Sequence, residues 1–185
     1  MTAVDDLWYV ADEADQRAEQ TYHRITEEYD ADLTYERTRH VSRARFRTIA
    51  DRICENGLPF GAHTVVYRES GELLLVRHEG VDKWVVPGGQ VNTDESLEAG
   101  ARRELAEEAG AEVTYEGLAI LERVHFRSDG HRTWGVLPVF GARAESTDLA
   151  VSDPDEEISA ARWFADLPAD TRDRDELLEW RRHAL

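Results

Sequence analysis

The stretch Trp84–Ala111, WVVPGGQVNTDESLEAGARRELAEEAGA, constrains this chain more than any other. Trp84-Val85-Val86 reads as the end of a strand. Pro87-Gly88-Gly89 then breaks it, since proline fixes φ and lacks a donor while glycine admits positive φ. Asn92, Asp94 and Ser96 offer three helix caps, and Gly110 stands where a left-handed C-cap belongs. Between them run good helix formers without proline, from Leu97 to Ala106. The stretch predicts a strand, a glycine loop, a helix and a turn.

Glu104, Glu107 and Glu108 stand at i, i+3 and i+4, so all three share one helical face. Like charges at that spacing destabilise a bare helix by roughly 0.2–0.5 kcal/mol per pair. A divalent cation reverses the sign, because hard cations take oxygen ligands. Ala99, Ala101 and Leu105 are expected to pack inward and leave the acidic face free. Arg103 is expected to brace the carboxylates, with Glu95 beside it. A solvated acidic face in an acidic protein is the simpler account of three glutamates taken alone.

The whole stretch resembles the signature of the Nudix hydrolase family. Gly89 is followed after five residues by Glu95, and after seven more by Arg103-Glu104-Leu105; Ala106, Glu107-Glu108, Ala109 and Gly110 complete the pattern. Ala111 fills the final aliphatic place, a mild departure that affects packing. The resemblance covers roughly residues 58–170. It implies an α/β/α sandwich with a mixed β-sheet. It also implies Mg²⁺ or Mn²⁺ held by Glu104, Glu107 and Glu108 with a main-chain carbonyl near Gly88 or Gly89.

Composition limits the partners. The net charge of −17 disfavours nucleic acid and anionic membranes. Lys83 is the only lysine; abundant acid with scarce lysine suggests a halophilic, high-salt cytoplasm, where screening shrinks to a few ångströms. Cys54 is alone, which excludes an internal disulfide, and its apolar helical row makes it a small buried hydrophobe. MTAVDDLWYVADEAD has neither a basic start nor an apolar centre, so no signal peptide is expected, and no membrane span is visible. A cytoplasmic location is the expectation.

Residues 1–57 are expected to form an extension of their own, ahead of a domain over 58–185. Leu7, Ala11, Ala14, Ala18, Tyr22, Ile25 and Tyr29 recur at helical steps. A second helix is predicted from about Thr34 to Asn56, closed by Gly57 and Pro59, giving an N-terminal α-helical hairpin. The first helix is acidic, whereas the second carries Arg37, Arg39, His40, Arg43, Arg45, Arg47 and Arg52. Pairing between the two helices is the simpler expectation; a basic face for substrate phosphate or an acidic partner is the alternative. The hairpin's role is open between dimerisation, a lid and packing, so a homodimer is one candidate partner.

From Phe60 the texture is stranded. Ala62–Arg68 and Leu73–His78 flank a hairpin signal at Glu69-Ser70-Gly71-Glu72, and Ser128-Asp129-Gly130 turns Leu118–Arg127 back into Thr133–Ala142. An acidic loop over 144–155 leads to a last strand, and Asp173–His183 reads as a helix burying Leu177, Leu178 and Trp180.

The resemblance implies hydrolysis of a phosphoanhydride in a nucleoside diphosphate linked to another moiety, by water activated at the metal. A carboxylate must take that water's proton. Glu108 could serve, but the family often places this group on a loop before the last strand. Among Asp155, Glu156 and Glu157, Glu157 is the choice. Arg68, Arg77, Arg123, Arg127 and Arg132 are candidate phosphate grips, and Phe126 and Trp134 candidate base-stacking rings, each more simply explained as surface or core. The first proline beyond the signature is Pro138, too far for the mark of ADP-ribose hydrolases. A nucleoside triphosphate, ADP-ribose or a nucleotide sugar therefore stays open as the small-molecule substrate. A nucleotide-binding regulatory module and an RNA 5′-end hydrolase are the alternatives in other classes.

Overall fold

Asp129 and Gly130 both take positive φ, 45° and 82°, in a two-residue turn that joins β6 (Val113–Ser128) to β7 (His131–Ala144). That turn geometry matches the twist of paired strands, and the long hairpin it closes is the centre of the molecule. The computed structural model describes residues 6–185. The first five, part of the segment expected not to be a signal peptide, lie outside the described residues.

The other elements are α1 (Leu7–Glu28), β1 (Leu33–His40), α2 (Arg43–Asn56), β2 (Ala62–Tyr67), β3 (Leu73–His78), β4 (Lys83–Val85), β5 (Gly88–Gly89), α3 (Leu97–Glu108), β8 (Ile158–Phe164) and α4 (Arg174–Ala184). They build one sheet in the order β1-β6-β7-β2-β3-β4, with β5 added to β2 and β8 to β3. β1 pairs parallel with β6 and β2 parallel with β7, while the remaining pairs are antiparallel. The sheet is therefore mixed, as expected.

Alternate strand residues face opposite sides, and α3 packs in one core cluster, α2 and α4 in another, with α1 reaching both. Leu121 and Val136 join Ile25 of α1 and Ala101 of α3 in one cluster. Their neighbours Ile120 and Leu137 join Phe46, Ile49 and Ile53 of α2 and Leu177 and Trp180 of α4 in another. The result is the α/β/α sandwich. Cys54 is half-buried, and burial pushes its thiol up to about 11. Among the described residues, no helix is long and apolar enough to cross a membrane.

One element differs from expectation. The helix predicted from Thr34 begins at Arg43, where Ser42 caps it by accepting the Arg45 N–H at 3.2 Å. Leu33–His40 is a strand instead, with alternating partial burial and exposure along its length. Thr34, Tyr35 and Thr38 favour extended backbone, and β6 supplies the partner that a strand requires, Leu33 opposite Ile120 through His40 opposite Arg127. The two helices still pack against each other, but the strand between them extends the sheet. Arg47 of α2 reaches Asp6, the N-cap residue of α1, at 2.7 Å, whereas Arg37 of β1 binds Glu122, Asp173 and Glu176.

Candidate functional site

The glycine loop and the α3 helix meet because small residues let backbone approach carboxylate. Ala62 and His63 of β2 pair with Gly89 and Gly88. A Cβ on Gly89 would lie 2.7 Å from the Glu104 carboxyl carbon, and one on Gly88 2.5 Å from the Ala62 carbonyl oxygen. Ser96 is the cap chosen from the three candidates, its Oγ accepting the Ala99 N–H at 3.1 Å. Gly110, at φ +60°, ends the helix as foreseen. Ala101 and Leu105 are buried, but Ala99 is exposed. Gly100 packs inward in its place, under Val91 and Glu95.

Arg103 holds this end together. Its Nε donates to Glu95 at 2.7 Å and its Nη1 to Glu104 at 2.7 Å, while Nη2 donates to the Gln90 carbonyl at 2.7 Å. Glu107 lies 3.5 Å from Nη1. The Arg103 hydrogen bonds, helped by the Asn92 N–H, hold the Glu95 carboxyl at about 2. The same guanidinium thus links the loop to two of the three helix carboxylates.

Glu108 is different. Only 7% exposed, it accepts the Gly88 N–H at 3.0 Å, and among the described residues no basic side chain is paired with it. Burial pushes its carboxyl up to about 8, and Glu104, Asp153 and Glu157 add repulsion. Glu104 is also raised, by burial first. Among the described residues, no three acid, histidine or cysteine side chains already stand around one point as a metal cage. The donor set nevertheless fits a hard divalent cation: three carboxyl groups and the carbonyls of a glycine turn, with a buried acid that has no basic partner among the described residues.

These groups line a cavity of about 520 Å³. Glu104 and Glu108 form one end with Gly88, Gly89 and Gln90, and Glu107 is not part of the wall. Asp153, Asp155 and Glu157 of the β7–β8 loop close over that end. Asp153 sets the loop by accepting the N–H groups of Asp155, Glu157 and Ile158 at 3.2, 2.6 and 2.9 Å. Glu157 keeps an exposed carboxylate 3.4 Å from His78 Nε2. Phe60, Ile120, Leu137 and Val139 give the cavity an apolar floor, and His63 adds a buried Nδ1 with no hydrogen-bond partner.

Of the arginines offered as phosphate grips, none lines the cavity. Arg68 is paired with Glu72, Arg77 with Asp170 and Asp82, and Arg123 stacks on Tyr22 and Trp134. Phe126 is fully buried, so packing accounts for it. The arginines that do line the cavity are Arg39, Arg45, Arg52 and Arg172. The first three stood in the basic segment noted above, but as one helix they pointed to no common target. Arg172, Asp153 and His63 carried no local signal.

The NUDIX domain profile matches residues 57–181. Over 91 residues the chain is 34% identical to a protein of Bacillus subtilis (strain 168) described as "Putative 8-oxo-dGTP diphosphatase", covering 49% of this chain and 61% of that one. It is 34% identical over 95 residues to a "MutT-like protein" of Streptomyces ambofaciens, covering 50% and 62%. The chain thus matches about three fifths of the length of these curated relatives. The crystal structure of a MutT protein from Methanosarcina mazei Go1 aligns with a TM-score of 0.47 at 28% identity, over 65% of this chain and 91% of that one.

Proposed function

This chain belongs to the Nudix family, and from that premise we propose that it is a metal-dependent pyrophosphohydrolase. It cuts a phosphoanhydride of a nucleoside diphosphate linked to another moiety. The observation that carries this is Glu108: a buried carboxyl group with no cationic partner among the described residues, set against a glycine turn and beside Glu104. A solvated acidic face would not bury one of its acids.

Glu104, Glu107 and Glu108, with the Gly89 carbonyl, are the proposed ligands of Mg²⁺ or Mn²⁺. When bound, the ion neutralises phosphate oxygens and lowers the pKa of a coordinated water. Arg103 orients Glu104 and Glu107 from behind. The Gly88 N–H fixes the direction of the Glu108 carboxylate. Glu157 is the proposed general base: it is exposed to the cavity, and Asp153 anchors the backbone on which it stands. The apolar floor excludes water from the rest of the substrate. Residues 1–57 are proposed as an extension added to this hydrolase unit, and the −17 charge with one lysine supports a high-salt cytoplasm as its setting.

Phosphate-coupled turnover in high KCl with Mg²⁺ or Mn²⁺ tests the proposal. Nucleoside triphosphates, ADP-ribose, nucleotide sugars and dinucleoside polyphosphates form the panel. 8-Oxo-dGTP joins it because of the description given to the Bacillus subtilis relative. Turnover on one class, lost in Glu107→Gln and Glu108→Gln, is the expected result. Silence from a folded, metal-loaded protein overturns it. Nucleotide binding without turnover would instead make the chain a nucleotide-binding regulatory module.

A further inference from the structure

The cavity is lined by charges of both signs. Glu104, Glu108, Asp153, Asp155 and Glu157 stand with the glycine loop in its wall. The same wall carries Arg39 on β1, Arg45 and Arg52 on α2, and Arg172 just ahead of α4. Three elements separated in sequence bring these cations to one wall, in a chain of net charge −17.

The acids beside these arginines are already engaged. Arg37 binds Glu122 at 3.0 Å, Asp173 at 2.7 Å and Glu176. Arg39 stands 4.0 Å from Asp173 and over the Phe60 ring. Among the described residues, Arg45, Arg52 and Arg172 have no hydrogen-bonded or ion-paired acid. Burial and then the nearby guanidinium of Arg39, with Arg45 adding to it, lower the pKa of Arg172 although Asp173 opposes them, so these cations crowd one another. Counting Arg37, five arginines face three acids, an excess of two positive charges. A phosphate monoester carries about that charge with opposite sign near neutral pH, and arginine is the side chain suited to bind it.

β1 is separated from β5 by β6, β7 and β2. Four strand spacings set the strand that carries Arg39 about 19 Å from the glycine loop along the sheet, whereas Arg172, whose N–H is bound by the Trp84 carbonyl, reaches in from the β4 side. We propose that Arg39, Arg45, Arg52 and Arg172 form a second anion subsite, which takes a phosphate of the substrate other than the two being separated. The substrate class is a nucleoside diphosphate derivative carrying an additional phosphomonoester, on the nucleotide ribose or on the distal moiety. This rests on the hydrolase proposal for the carboxylates, and it gives β1 and α2 a share in choosing the substrate.

The test is binding of matched ligands to the full chain without metal, by calorimetry at one fixed KCl concentration. One pair is 2′,5′-ADP against 5′-AMP, and the other ADP-ribose 1″-phosphate against ADP-ribose. The expected result is at least tenfold tighter binding of the phosphorylated member in one pair, which also identifies where the extra phosphate sits. In Arg52→Gln and Arg172→Gln that preference should fall to within twofold, while Arg52→Lys, checked for an unchanged melting temperature, retains part of it. No preference in either pair, or a preference that survives both glutamine variants, overturns the subsite. Turnover without such a preference leaves the hydrolase proposal standing alone. A preference with no turnover on any substrate sinks the hydrolase proposal and leaves the subsite.

Discussion

The Glu108 carboxylate accepts the Gly88 backbone N–H at 3.0 Å, so a hydrogen bond to a buried acid joins the α3 helix to the glycine loop. Burial without a cation pushes that carboxyl up to about 8, so folding near pH 7 takes up a proton that the unfolded chain has released, at a cost in free energy. Glu108→Gln keeps an acceptor for that N–H and removes the proton uptake. In the absence of metal at pH 7 the variant should be more stable than the parent, by on the order of 1–3 kcal/mol. The added stability that Mg²⁺ confers should disappear in the same variant. Urea unfolding with and without Mg²⁺ measures both, and a variant less stable than the metal-free parent would count against the buried-acid account.

Arg103 spans Glu95, Glu104 and the Gln90 carbonyl with three different nitrogens. Lysine keeps the charge but not the planar fork. Arg103→Lys should weaken Mn²⁺ binding by about 10–100-fold, the usual effect of losing a group that orients metal ligands. Electron paramagnetic resonance of free Mn²⁺ gives the affinity directly. Unaltered affinity would show that the carboxylates orient themselves.

Asp155 and Glu157 both line the cavity, but only Glu157 lies beside His78. Glu157→Gln should lower kcat by about 10²–10⁴-fold, the range for loss of a general base, with Mn²⁺ affinity held. Asp155→Asn should have the smaller effect. The reverse order would move the base to Asp155.

Two glycines isolate the cost of crowding from that of conformation. Gly61 and Gly71 share a left-handed φ, +80° and +88°. A Cβ on Gly61 would stand 1.7 Å from the Gly89 carbonyl oxygen, whereas one on Gly71 meets nothing within 4 Å. Gly71→Ala should cost about 1–2 kcal/mol for the left-handed backbone alone. Gly61→Ala should cost clearly more and displace the glycine loop. Equal losses by thermal unfolding would mean that the loop yields freely.

His63 stays neutral in the folded chain down to about pH 4, because burial and then Arg172 oppose its charge. An unfolded imidazole takes its proton near 6.5. Between those values the unfolded state binds more protons, so the stabilising contribution is full above about 6.5 and is lost as pH falls toward 4. The loss is on the order of 3 kcal/mol. Stability measured across pH 4–7 should fall less steeply in His63→Gln than in the parent, and parallel curves would refute this.

What could be foreseen from the sequence was whatever short-range chemistry decides. Ser96, the three spaced glutamates and Gly110 specify α3 within a few turns of chain, and Asp129-Gly130 specifies its own turn. β1 could not be read this way. Its arginines and glutamate tolerate a helix, and the partner that makes it a strand is β6, far along the chain. Arg37 shows the same limit, with Asp173 and Glu176 lying 136 and 139 residues away. The helix carboxylates of the cavity were therefore visible in one segment. The arginine cluster exists only once three segments converge.

The parallel pairing of β1 with β6 also orders events in time. Leu33 meets Ile120, and α1 rests on β7, which is made later still. During synthesis, the first strand leaves the ribosome with no sheet to join and an amphipathic helix already attached to it. Neither can settle until the β6–β7 hairpin has emerged, because contacts this distant in sequence form late. The α1–β1 segment thus has to wait for strands that are made long after it.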